Sequence, residues 1–195
     1  MKTVFIICLA LCTCSVSAQM EQRSNMHLPI IISVQFHSIS VPFRHMKSNF
    51  RNIGIGIGTE VDYSDVSKFH QRFSVVYCHN KAAGNRWLLQ SQAIWRPHIG
   101  GEGFGELNAG IGYMITKRPI KSYKFNNGEW VPAGKKGKGL LIVPVGIGGG
   151  YVTDNLRQQM NHFFNYNMMF VTGYNRSIPI VPETLIQFGT SIKNK

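Results

Sequence analysis

Beyond its first eighteen residues the chain has no apolar run approaching the roughly 20 residues that a membrane-spanning helix needs. Cysteine is scarce too. Cys8, Cys12 and Cys14 lie in the leader described below, which leaves Cys78 alone in the rest of the chain. A lone cysteine closes no internal disulfide, so the domain must be stable without one, and Cys78 reads as a small packing residue. Charged residues make up 15% of the chain, where about 25% is usual for soluble domains. Acids are few: nine against 21 Lys and Arg, a formal net charge of +12. Helical spacing of apolar residues is missing as well, apart from a short helix expected near Asp154–Gln159. The seven histidines, His27, His37, His45, His70, His79, His98 and His162, are scattered without a Cys/His cluster. No metal and no cofactor is therefore expected.

What is present begins with a leader. Met1 and Lys2 supply a positive start, Val4 to Leu11 is apolar, and Ser15-Val16-Ser17-Ala18 offers small residues before Gln19. These features predict a secretory signal peptide over residues 1–18. A lipoprotein signal fits poorly, because Thr13 stands before Cys14 where a small residue is usually needed. Residues 19–195 contain no internal linker and read as one domain.

The dominant pattern of that domain is alternation with period two. Residues 53–63 carry it most clearly: Ile53, Ile55, Ile57, Thr59, Val61 and Tyr63 alternate with Gly54, Gly56, Gly58, Glu60 and Asp62. The same alternation runs through Ile30 to Phe36, Phe73 to Tyr77, Trp87 to Trp95, Leu107 to Ile115, Leu141 to Tyr151, Phe164 to Phe170 and Ile180 to Ile192. Eight candidate strands result, of roughly 8 to 13 residues, bracketing the length a tilted membrane-spanning strand requires. The glycine runs do not fit dinucleotide binding. Thr59 and Tyr151 occupy the position where that fingerprint needs its third glycine, and no helix follows. Inward glycines instead relieve crowding in a narrow, curved barrel.

Alternation alone does not say which face is inside. Three features put the apolar rows outside, toward lipid. The polar rows are rich in glycine and asparagine, not in the Lys/Glu mixture of a solvated face. Aromatics gather near strand ends, with Tyr63, Phe73, Trp95 and Tyr151 in one belt and Tyr77, Trp87, Tyr113 and Tyr174 in the other. Charge also follows topology. With the N-terminus in the periplasm, connections 42–52, 79–86, 116–139 and 174–179 lie outside, and they hold 13 of the 21 basic residues against one acid, Glu129. Connections on the other side mix signs, as in Asp65 with Lys68 and Asp154 with Arg157. The expected fold is an all-β, antiparallel, eight-stranded transmembrane β-barrel of up-and-down topology, in the bacterial outer membrane.

Four segments carry a family resemblance: Phe50-Arg51-Asn52-Ile53-Gly54-Ile55-Gly56-Ile57-Gly58-Thr59-Glu60, Leu107-Asn108-Ala109-Gly110-Ile111-Gly112-Tyr113, Asn126-Asn127-Gly128-Glu129 and Ile180-Val181-Pro182-Glu183-Thr184. With them the sequence resembles small outer-membrane β-barrel proteins of the Bacteroidetes type, most of them uncharacterised. The resemblance implies architecture and location, with no catalytic residues to carry over. The ending Ile192-Lys193-Asn194-Lys195 departs from the terminal aromatic that many such barrels show to the assembly machinery, and Phe188 is the candidate substitute.

Two groups of residues are candidates for function. Glu60 and Asp62 share a strand face about 7 Å apart. With Arg96, Glu106 and Asn108 they are expected to form a polar network that fills a lumen too narrow for a pore. Lys117, Arg118, Lys121, Lys124, Lys135, Lys136 and Lys138 surround Tyr123, Phe125 and Trp130 in the longest outside connection. They suit point-charge contact with lipopolysaccharide phosphates or anionic glycans. Membrane lipid, lipopolysaccharide and the barrel-assembly machinery are the expected partners, and nucleic acid is not. The main reading is a non-enzymatic structural or surface-interaction barrel. Its competitors are a lipid A acyl hydrolase or transferase using His45 with Ser38 or Ser48, a narrow channel, and a soluble lipocalin-like binder of an apolar ligand.

Overall fold

A computed structural model describes residues 28–38, 50, 52–63, 68–79, 84–117, 123–126, 128–132, 137–173 and 179–194. Segment 1–18, expected from the sequence to be a signal peptide, lies outside the described residues. The strands are β1 (Ile30–Ser38), β2 (Ile53–Asp62), β3 (Phe69–Cys78), β4 (Asn85–Trp95), β5 (His98–Gly100), β6 (Gly103–Lys117), β7 (Tyr123–Asn126), β8 (Glu129–Pro132), β9 (Gly137–Asp154), β10 (Gln158–Thr172) and β11 (Ile180–Asn194).

Nine strands form one sheet in the order β4-β3-β2-β1-β11-β10-β9-β6-β5, and β4 also pairs with β6. That last pairing closes the sheet, with the three-residue β5 attached to β6 as an appendage, so eight staves remain. Each stave is antiparallel to its neighbours. The closing seam joins the first strand to the last, from Ile30 opposite Ile192 to Ser38 opposite Thr184. Closure satisfies every stave on both edges, which is what a strand in lipid demands. β7 and β8 form a separate two-stranded ribbon.

The faces are inverted relative to a soluble barrel. Ile55 is 65% exposed and Ile111 64%, on the outward rows of β2 and β6. Ile30, Ile32, Leu89, Leu141 and Phe188 also face outward. Ser33, Gln35, Gln92, Asn165, Asn167 and Gln187 are buried inside. This is the architecture of a membrane-spanning barrel, and it removes the lipocalin-like reading.

Several details depart from the sequence-based expectations. Residues 154–159 are not helical: β9 ends at Asp154, the Asn155 amide donates to the Gln158 carbonyl at 2.9 Å, and β10 begins at Gln158. Three linking residues make a hairpin turn and leave no room for a helix. Phe73 is not at a rim; it pairs with Ser91 inside the strands, and Phe69 takes the rim position opposite Trp95. In the other belt Tyr77 and Trp87 have ring centroids 5.0 Å apart, while Tyr174 lies outside the described residues. From the rim inward, Tyr63 Oη donates to Gln71 Oε1, and Gln71 Nε2 to Ser91 Oγ, both at 2.7 Å. β9 has 18 residues, beyond the 9–11 or so that cross a bilayer. Its start, Gly137 to Gly139, is exposed on both faces, as expected of a ribbon standing clear of the apolar band.

The interior is also more apolar than the alternation suggests. Val76, Cys78, Leu88, Met114, Ile142, Met169 and Leu185 pack together inside the end that holds the β1–β2 and β3–β4 connections. Ile31, Phe104 and Phe163 close the opposite end. The lumen is thus a packed core, with polar layers between apolar ones.

Candidate functional site

The centre of the polar interior is a cluster of four charged side chains. Glu60 on β2 pairs in register with Arg72 on β3, and Arg72 is fully buried, 1% exposed. Arg72 Nη2 donates to Glu60 Oε2 at 3.4 Å and to Glu106 Oε1 at 3.1 Å. Arg96, just past β4, reaches the same two acids, with Nη2 2.6 Å from Glu60 Oε1 and Nε 2.9 Å from Glu106 Oε1. Asn165 Nδ2 donates to the other oxygen of Glu106, Oε2, at 2.8 Å. Two carboxylates and two guanidiniums cancel in charge, and each carboxylate is held by both arginines. The guanidiniums also lie over aromatic rings, Arg72 4.2 Å from the Phe163 centroid and Arg96 5.0 Å from Phe104.

The glycines of β9 make this packing possible. Gly148 pairs with Glu106 on one side and Asn165 on the other, and Gly146 with Asn108 and Asn167. A Cβ at Gly148 would collide with Asn165 Oδ1, and one at Gly146 with Asn167 Oδ1. The inward glycine row is therefore a notch that admits the asparagines.

Not every expected member joins the cluster. Asp62 stands apart at the rim, where His70 Nδ1 is 2.6 Å from its Oδ1 and Lys193 Nζ 3.4 Å from its Oδ2. Asn108 accepts from Gln92 Nε2 at 3.3 Å and touches no charge in this network. Arg72 joins the cluster without having been expected there, although its place on the inward row of β3 with Ser74 is a usable signal in the sequence. Arg86, expected in the outside connection 79–86, instead belongs to β4 and is buried, its Nη1 2.7 and 2.6 Å from the two oxygens of Glu183. No sequence signal joins two residues so far apart in the chain. Among the described residues no three His, Cys, Asp or Glu side chains converge as a metal site.

Of the basic loop residues, Lys117 ends β6 and Lys138 lies near the start of β9, both exposed. Lys124 is in β7 opposite Val131. Arg118, Lys121, Lys135 and Lys136 lie outside the described residues, as do His45 and Ser48. Ser38, the last residue of β1, is buried.

No protein-family model matches the chain, and no curated protein matches it. Its fold is similar to that of Neisserial surface protein A (NspA), with 11% identity and a TM-score of 0.55 over 86% of this chain and 97% of that one. The N-terminal β-barrel domain of Pseudomonas aeruginosa OprF covers 84% of this chain and 96% of its own, at 11% identity and a TM-score of 0.49. Ail, the attachment invasion locus protein of Yersinia pestis, covers 86% and 96%, at 10% identity and 0.42. The likeness to NspA is one of fold. The architecture is that of a small outer-membrane eight-stranded barrel.

Proposed function

We propose that this chain is a non-enzymatic barrel of a bacterial outer membrane, exported after loss of residues 1–18, with a structural or surface-contact role. One observation carries the proposal: an outer wall of aliphatic and aromatic side chains encloses a lumen packed shut by Glu60, Arg72, Arg96 and Glu106. Such an interior offers a substrate neither space nor a free carboxylate, which leaves the loops to meet partners. NspA, a surface protein by name, has the same fold.

In this reading the N-terminus is periplasmic and the connections after β1, β3, β6 and β10 face outward. Their surplus of Lys and Arg, with Glu129 as the one acid between residues 118 and 136, suits lipopolysaccharide phosphates or anionic glycans. Insertion would use the barrel-assembly machinery, with Phe188 on the outer face of β11 as the aromatic it reads. Segments 50–60, 107–113, 126–129 and 180–184 support placement with the Bacteroidetes-type barrels.

The test is migration of the washed outer-membrane fraction on a detergent gel, unboiled against boiled. A faster, protease-resistant unboiled band is expected. Recovery in the soluble periplasmic fraction without any shift would sink the proposal.

A further inference from the structure

We propose that the β7–β8 ribbon is a carbohydrate-reading surface for the sugar rings of an acidic polysaccharide; this rests on the surface-contact role proposed above. Register places Tyr123 opposite Pro132 and Phe125 opposite Trp130, so these four side chains share one face of the ribbon. Tyr123 is 53% exposed, Phe125 63% and Trp130 69%. The rings of Phe125 and Trp130 lie 5.4 Å apart, tilted at 62° instead of stacked, so neither covers the other. Gly128, at φ 88°, makes the tight turn that holds the two strands together. A two-stranded ribbon has no core to justify an aromatic face, and exposed patches of this kind mark recognition surfaces.

The surroundings name the ligand chemistry. Along the chain the ribbon lies between Lys117 and Lys138, both exposed, and the same stretch of sequence also contains Arg118, Lys121, Lys124, Lys135 and Lys136. A neutral glycan would use only the rings, and a bare phosphate only the cations. A polysaccharide with carboxylates on its pyranose rings uses both. Its C–H faces meet the negative faces of the aromatics, and its carboxylates meet ammonium groups. Tyr123 and Phe125 stand about 7 Å apart along the strand, so neighbouring sugars can be met at once.

The experiment measures binding of the full-length protein, in detergent micelles, to polygalacturonate, to neutral dextran and to phosphatidylglycerol vesicles. Binding to polygalacturonate but not dextran is expected. The double variant Phe125→Ala/Trp130→Ala should weaken it about tenfold or more while the heat-dependent gel shift stays unchanged. Lys117→Gln/Lys138→Gln should chiefly flatten its salt dependence. Equal binding by the aromatic double variant would overturn the inference in favour of charge alone, with the surface-contact role intact. Capture by vesicles but not by polygalacturonate would overturn it in favour of a lipid surface, again leaving that role. Binding to none of the three would overturn both.

Discussion

Arg86 and Glu183 sit in the apolar part of the lumen, both almost fully buried, with two short hydrogen bonds between them. Burying two charges costs much of what their attraction returns, so the pair is expected to add little net stability. Removing one partner is a different matter, because it strands the other charge in a dry interior. Glu183→Ala should therefore destabilise the barrel by about 3–5 kcal/mol. The double variant Arg86→Met/Glu183→Leu should recover most of that loss. Urea midpoints in detergent, followed by tryptophan fluorescence, would check both, and equal stability of the single variant and the parent would refute the stranded-charge account. His37 is also buried in this part of the lumen, and among the described residues neither of its ring nitrogens has a hydrogen-bond partner.

At the scale of the strand, alternation decides which substitutions lipid tolerates. Ile111 lies on the outward row of β6, between Ser91 of β4 and the outward residues of β9. Ile111→Arg should cost about 2–4 kcal/mol in a bilayer, the penalty for a cation near mid-membrane. The same change on the wall of a soluble barrel would be almost free. Refolding into lipid vesicles across a denaturant series measures it, and a change within a few tenths of a kcal/mol would speak against a lipid-facing row. The staves with a clean apolar row, β2 and β6 above all, were legible because period two survives wherever one face meets lipid. The long start of β9 was not, since both its faces are exposed and its residues Gly137, Lys138 and Gly139 carry no alternation. The hairpin at 155–157 is hidden in the sequence for a related reason: a few polar residues fit a helical turn as well as a tight loop.

For the whole molecule the decisive fact is closure around a filled interior. The β4–β6 and β1–β11 pairings shut the sheet, and the four-charge cluster, the asparagines over the β9 glycines and the apolar ends occupy the lumen. Planar bilayers receiving the purified protein should show no conductance steps over many insertions. Reproducible unitary steps would mean that the lumen opens and that its charges line a pathway.

The sequence by itself determined the barrel: its strand number, its up-and-down order, the inverted faces and the inward place of Glu60, Arg96 and Glu106. All of these follow from local periodicity and composition, which act between near neighbours along one strand. Only the tertiary structure decided who pairs with whom across the lumen. Arg72 between two acids, Asp62 apart with His70, and Arg86 bound to Glu183 depend on strand stagger and on side-chain reach over an interior a few residues wide. Those distances arise when the sheet closes, and no pattern along the chain encodes them.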